Sequence, residues 1–191
     1  MHREYATPPR SVVMVSPPVV EPVSLSTAKQ HLRISEDQTD DDTYILALLA
    51  TGRRIIERRL GISLVATEYR ATWAYAPGSI AIPNPPLLTG GAYSFSITGD
   101  GTVVDPETYT LDTDSRPATV VFDAIPSGVI VVSYWAGVAP GGIVAPQLKS
   151  ALLLYVGHLF AHREAVSEDG ASELPMAFEM LLASESVMGV W

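Results

Sequence analysis

DDTYILALLATGRRIIERRLGISLVATEYRATW, residues 41–73, holds two periodicities in one run, and the change between them decides the fold class. From Asp41 to Leu60 the apolar residues Ile45, Leu48, Leu49, Ile55, Ile56 and Leu60 recur at helical spacing. Gly61 is a natural stop, because a residue without Cβ closes a helix in the left-handed conformation at little cost. From Thr67 the period becomes two: Thr67, Tyr69, Ala71 and Trp73 alternate with Glu68, Arg70 and Thr72, as in a half-buried strand. A long amphipathic helix therefore hands over directly to a sheet.

Toward the N-terminus, Ser24 offers a side-chain oxygen to the orphan N–H groups of a helix over 25–32, with Leu25, Ala28 and Leu32 on one face. The acidic turn from Ser35 to Asp42 suits the positive end of the following helix dipole. Residues 1–23 are Pro-rich and lack helical periodicity. They are expected to form an extended arm, either mobile or ordered against a neighbouring subunit.

Toward the C-terminus, short strands are predicted over 79–82, 92–97, 102–104, 109–111, 119–122 and 129–135, with turn signals at Pro77–Gly78 and Gly99–Gly101. A helix is predicted over 145–166, opening at Pro146, with a stripe of Leu148, Ala151, Leu152, Tyr155, Leu159 and His162. Pro175 opens a last helix through about Ala183, and 184–191 reads as a tail with an apolar end. The expected architecture is α+β: a helical bundle of three or four helices (24–60 and 145–183) with an inserted antiparallel β module (62–137). The connecting domain spans 24–183.

Composition narrows the function classes. There is no Cys, which removes disulfides, thiolate-ligated zinc and thiol catalysis together. A formal charge of −9 argues against a surface built to grip phosphates, since clustered Lys and Arg supply non-specific nucleic-acid affinity. No secretory leader is visible, and the longest apolar stretch, 151–161, contains His158 and is too short to span a bilayer. A soluble chain with no membrane partner is expected.

Candidate chemistry is sparse. His158 and His162 stand four apart on a helix, but Leu159 occupies the place a zincin gives to Glu and no third ligand is indicated. Glu36, Asp37, Asp40, Asp41 and Asp42 lack the spacing of a calcium loop. The Gly99–Gly101 turn joins two strands, whereas a phosphate cradle leads into a helix. Ser63, Ser94, Ser133 and Ser150 have no nucleophile-elbow setting. No catalytic, cofactor-binding or metal-binding residue is assigned, and no enzymatic activity is expected. On the long helix, Arg53, Arg54, Glu57, Arg58 and Arg59 form either a solvated face or a contact with another subunit.

The ordered motifs resemble the head–tail connector (adaptor) proteins of tailed phages. Pro22-Val-Ser-Leu-Ser-Thr-Ala-Lys-Gln-His-Leu-Arg-Ile34 is similar to the family's opening segment. Asp41-Asp42 with the helix over 44–60, Glu57 and Gly61 resemble the segment that follows. Ile82-Pro83, Pro85-Pro86-Leu87, Asp100-Gly101, Tyr109-x-Leu111, Tyr134-x-Ala136-Gly137, Val144-x-Pro146-x-Leu148-Lys149, His162-Arg163-Glu164 and Leu174-Pro175 continue the resemblance over about residues 22–183. The long arm before Pro22 departs from it.

The resemblance implies a subunit of a ring, usually of about twelve copies, made in the host cytoplasm and placed at the head–tail interface of the virion. It implies a portal protein above, a stopper or tail-completion protein below, and double-stranded DNA passing through without sequence-specific binding. In such adaptors the C-terminal segment commonly anchors to the portal. Met188, Val190 and Trp191 suit that role, unless the tail folds back on its own core. Arg53, Arg54 and Arg58 are the candidates for contacts between copies. The competing readings are a tail-completion or terminator ring protein and a small carbohydrate-binding or carbohydrate-active module. In the latter, Tyr69, Trp73 and Tyr75 would be the aromatic platform.

Overall fold

Ser24 and Arg33 bracket the first helix, α1 (Leu25–Leu32). The Ser24 hydroxyl accepts from the Thr27 N–H at 3.1 Å, and Arg33 closes the helix in the left-handed region with φ 59°. The computed structural model describes residues 7–162 and 176–188. It divides the chain into a helical unit, 20–60 with 143–190, and a β unit, 1–19 with 61–142. Residues 61–142 of the β unit are therefore inserted, in chain order, between the two halves of the helical unit, and its first strand precedes both halves.

In the helical unit α1 is followed by α2 (Asp42–Leu60), α3 (Pro146–Ala161) and α4 (Met176–Met188). Buried Ala28, Ile45, Leu49, Ile56, Leu152, Val156 and Phe178 form their common interior. Each large aliphatic chain so removed from water contributes about 1.5–3 kcal/mol. Of the stripe expected on α3, Leu148, Ala151, Leu152 and Tyr155 are buried, Leu159 is half-buried and His162 is exposed. α3 closes at Ala161 with His162 outside the helical region, short of the expected Val166, while residues 163–166 and the opening at Pro175 lie outside the described residues.

One boundary differs. α4 continues to Met188, so residues 184–188 belong to a helix where a tail was expected. Ser184 to Met188 contains neither Gly nor Pro, and such residues prolong a helix that tertiary packing has already nucleated.

Among the described residues the β unit holds nine strands, every pair antiparallel. One sheet runs in the order β1 (Ser11–Ser16), β2 (Thr67–Trp73), β9 (Ile130–Ala136), β5 (Ser96–Gly99), β6 (Thr102–Val103), with β4 (Leu87–Leu88) also on β9. The other runs β3 (Ser79–Ala81), β8 (Thr119–Phe122), β7 (Tyr109–Asp112). Tyr69, Ala71, Trp73, Ile80, Ile97, Val120, Phe122, Ile130, Val132 and Tyr134 share one apolar cluster. β2 buries Thr67, Tyr69, Ala71 and Trp73, the alternation that its sequence prescribes.

Two departures in this unit have physical causes. The arm was expected to be extended and either mobile or ordered against a neighbouring subunit, yet within its own chain Ser11–Ser16 pairs with β2 from Ser11↔Thr72 to Ser16↔Glu68. Its valines and Met14 suit a strand, and the prolines that suggested an unstructured arm flank the strand without interrupting it. The strand expected over 92–97 is displaced to 96–99 because its ladder runs into the hairpin, with Gly99 opposite Thr102. Asp100 and Gly101 both take positive φ (46° and 81°), the two-residue turn whose twist matches antiparallel strands.

Tyr134 sits in this core with its hydroxyl unpartnered among the described residues. Burial, and secondarily the neighbouring Tyr69, push its pKa well above the ordinary phenol range. Tyr134→Phe removes a desolvated hydroxyl at no loss of ring packing. It is expected to be neutral or to raise stability by up to about 1 kcal/mol, read from the urea midpoint. A loss above that would reveal a bond to the hydroxyl.

Candidate interaction surfaces

The acidic turn between α1 and α2 is held by a buried lysine. Lys29 is 1% exposed and its Nζ donates to the Glu36 carbonyl at 3.0 Å. The same Nζ lies 2.8 Å from Asp42 Oδ1, a distance at which the charges pair although the angle is poor for a hydrogen bond. The Ser26 hydroxyl donates to Glu36 Oε1 at 2.6 Å. Asp42 thus serves the first turn of α2 and neutralises Lys29 together, while Asp37 and Asp40 remain exposed.

The arginine face of α2 is split by burial. Arg53, 4% exposed, donates from Nε to Glu21 Oε2 at 2.7 Å and from Nη1 to Glu57 Oε2 at 2.8 Å. Its pKa is pulled down by burial, but the hydrogen bond to Glu21 and the charge of Glu57 outweigh this and leave it raised. Arg53 is therefore committed inside its own chain, and its expected role in contacts between copies is withdrawn. Glu57 is buried with it, where a solvated face was one expectation.

Arg54 and Arg58 are exposed. Arg59 pairs with Glu179 and lies 5.7 Å over the Phe178 ring, joining α4 to α2. An open recess of about 290 Å³ lies beside that pair, lined by Arg59, Leu60, Glu179, Leu182 and Ala183. It brings one already paired carboxylate and one already paired cation to an apolar wall, which is not an arrangement for acid–base or nucleophilic work.

The remaining candidates separate. The His158 and His162 rings lie tilted against each other with centroids 4.7 Å apart, and His162 Nδ1 lies 2.8 Å from the His158 carbonyl. Among the described residues no three His, Cys, Asp or Glu side chains gather as a metal site. Tyr69 and Trp73 are core residues and Tyr75 alone of the three is exposed, so the aromatic platform of a carbohydrate module is not formed. Ser63 is buried and hydrogen-bonds within its own turn, to the Val65 carbonyl at 3.0 Å. No helix of the described residues is long and apolar enough to cross a membrane.

Of the expected anchor, Met188 ends α4, and the placement of its side chain, with Val190 and Trp191, lies outside the described residues. α4 does carry outward methionines, Met176 and Met180. Sequence reasoning missed Lys29, Glu21 and the buried character of Glu57. The one available signal was spacing: Arg53 and Glu57 stand four apart, beside each other at the edge of the helix's apolar stripe.

Comparison with known proteins agrees with these features. Residues 22–87, which contain α1, the acidic turn and α2, match the family model described as Phage gp6-like head-tail connector protein. The resemblance carried by Pro22–Ile34, Asp41-Asp42 and Pro85-Pro86-Leu87 falls within that match. No curated protein matches the chain. Among solved structures, a chain of the neck of an empty GTA particle computed with C6 symmetry is 18% identical. It covers 91% of this chain and 94% of its own, with a TM-score of 0.70. A chain from the virion of a native gene transfer agent (GTA) particle is 17% identical, over 91% and 93%, at a TM-score of 0.71. A third, from the neck of a native GTA particle computed with C12 symmetry, is 17% identical over the same shares, at 0.67. These likenesses establish the α+β fold over nearly the whole chain.

Proposed function

We propose that this chain, matched over residues 22–87 to the head-tail connector family, is a structural adaptor of a phage or phage-like particle. Copies of it form a ring at the head–tail junction, and its work is to fit against other polypeptides, with no bond made or broken. The observation that carries this reading is the family match, which covers the acidic turn and α2. The fold shared with neck and virion chains of gene transfer agents supports it. The absence of convergent catalytic groups among the described residues is compatible with it.

In this reading the portal lies above the ring and a stopper or tail-completion protein below it. The C-terminal end of α4 leads toward the portal, with Met188, Val190 and Trp191 as apolar anchors that gain little in water but much in a partner's pocket. DNA passes without sequence-specific contacts. The charge of −9 supports that part, because an acidic surface repels phosphates and shortens their dwell.

The test is retention on immobilised portal rings. The full chain is expected to be retained, and a chain ending at Ser184 to be retained at least about tenfold less, the equivalent of losing about 1.4 kcal/mol of contact. Equal retention of both removes the anchor. A full chain that ignores portal and binds only tail tube replaces the adaptor reading with a terminator.

A further inference from the structure

The outward side of α2 is one continuous stripe. Thr43, Leu46, Ala47, Thr51, Arg54 and Arg58 are all exposed and recur at three- and four-residue intervals, so they share a face. Opposite charges mark its two ends. Arg54 and Arg58 stand at the C-terminal end, and the turn with Glu36, Asp37 and Asp40 precedes the N-terminal end.

These two groups cannot satisfy each other within one chain. At 1.5 Å per residue, Asp42 and Arg58 are about 24 Å apart along the axis. Among the described residues, neither Asp37 nor Asp40 has a cationic partner, and neither Arg54 nor Arg58 has an anionic one. Of the cations on α2, Arg53 and Arg59 are already taken by Glu21, Glu57 and Glu179, and Lys29 before the turn is taken by Asp42. The acidic turn is also pre-shaped, since Lys29 and Ser26 hold Glu36 and Asp42 and leave the other two carboxylates outward.

We propose that the lateral contact of the ring seats Arg54 and Arg58 of one copy on the Glu36–Asp40 turn of the next. This rests on the ring-forming reading above. The occupant is a second copy because the chain carries both halves of the complement at separated places, and a closed ring requires unlike patches to meet at every junction. Leu46 is 45% exposed and Ala47 and Thr51 are small, so the neighbour can approach the middle of the stripe closely. Exposed ion pairs are individually weak. Repetition around a closed ring makes each later contact intramolecular, which raises its effective concentration.

The lack of cysteine permits a direct test, since every disulfide must then join introduced thiols. A tagged chain carrying both Asp40→Cys and Arg58→Cys is incorporated into particles, which are purified and mildly oxidised. Their proteins are then separated under denaturing, non-reducing conditions. The separation along α2 is far beyond the roughly 4.4–6.8 Å Cα spacing of a disulfide, so no link can close within one chain. The expected result is a ladder of covalent multimers from the double variant, at least tenfold above either single variant. Dimers from Arg58→Cys alone would mean that like patches meet and would overturn the proposal. Monomers only, in particles that contain the chain, would overturn the contact and leave the adaptor reading standing. A tagged chain without either cysteine that never enters particles would sink both.

Discussion

Arg53→Ala is expected to destabilise the helical unit by about 3–5 kcal/mol, the usual cost of orphaning a buried charge. The guanidinium is enclosed between Glu21, which precedes α1, and Glu57, one turn along α2. Alanine removes the Arg53 cation from the Glu57 carboxylate, which is 7% exposed and so poorly placed to be hydrated instead. Followed by helical circular dichroism, the thermal midpoint should fall by roughly 6–20 °C for a chain of this length. The paired change Arg53→Met with Glu57→Leu removes both charges and refills the volume. It should recover most of the loss, because well-packed apolar residues often match a buried ion pair. Arg53 has a raised pKa, so its contribution is complete below the value of an unfolded arginine and is lost only as pH climbs past the folded one. No pH dependence from this group is expected between pH 5 and pH 9. A loss below about 1 kcal/mol for Arg53→Ala would place the pair in the class of solvent-exposed bridges.

The same pair marks where reading from sequence stops. Periodicity located α2 to within a residue and located the strands whose alternation is strict, β2 and β8, because each pattern is imposed locally by one buried face. Charge read from sequence points to solvent or to another subunit, and both readings fail where two opposite charges stand one turn apart and bury together, as Arg53 and Glu57 do. Glu21 lies 32 residues away in sequence, so nothing local announces it. β1 was misjudged for a related reason. Pro8, Pro9, Pro17 and Pro18 bias their own positions only, whereas Ser11–Ser16 is decided by a partner strand more than fifty residues distant. Of the candidate site, the outward Arg54 and Arg58 and the acidic turn were legible as types. Their lack of partners within the chain, which gives them a use, was not.

Gly52→Val is expected to cost about 3 kcal/mol or more, on the scale of Arg53→Ala, with Gly52→Ala in the range of about 1–3 kcal/mol. A Cβ built on Gly52 would lie 2.6 Å from Leu152 Cδ1 and 2.8 Å from Tyr155 Cδ1. Both side chains belong to the buried face of α3 and cannot swing into solvent. Two effects oppose each other at this position. Alanine stabilises a helix by about 1 kcal/mol over glycine, which would make the change favourable on an exposed face. Here the overlap falls on packed carbon in the crossing of α2 and α3, and the overpacking cost exceeds the gain. Valine adds two methyl groups to the same space and a restricted χ1, so it has no escape rotamer. If steric overlap is the cause, Leu152→Ala should partly rescue Gly52→Ala. The double variant would then cost at least about 1 kcal/mol less than the sum of the singles, a coupling of the size expected for residues in contact. Additive losses, or a Gly52→Ala chain as stable as the parent, would mean that α3 stands off from α2 at this crossing.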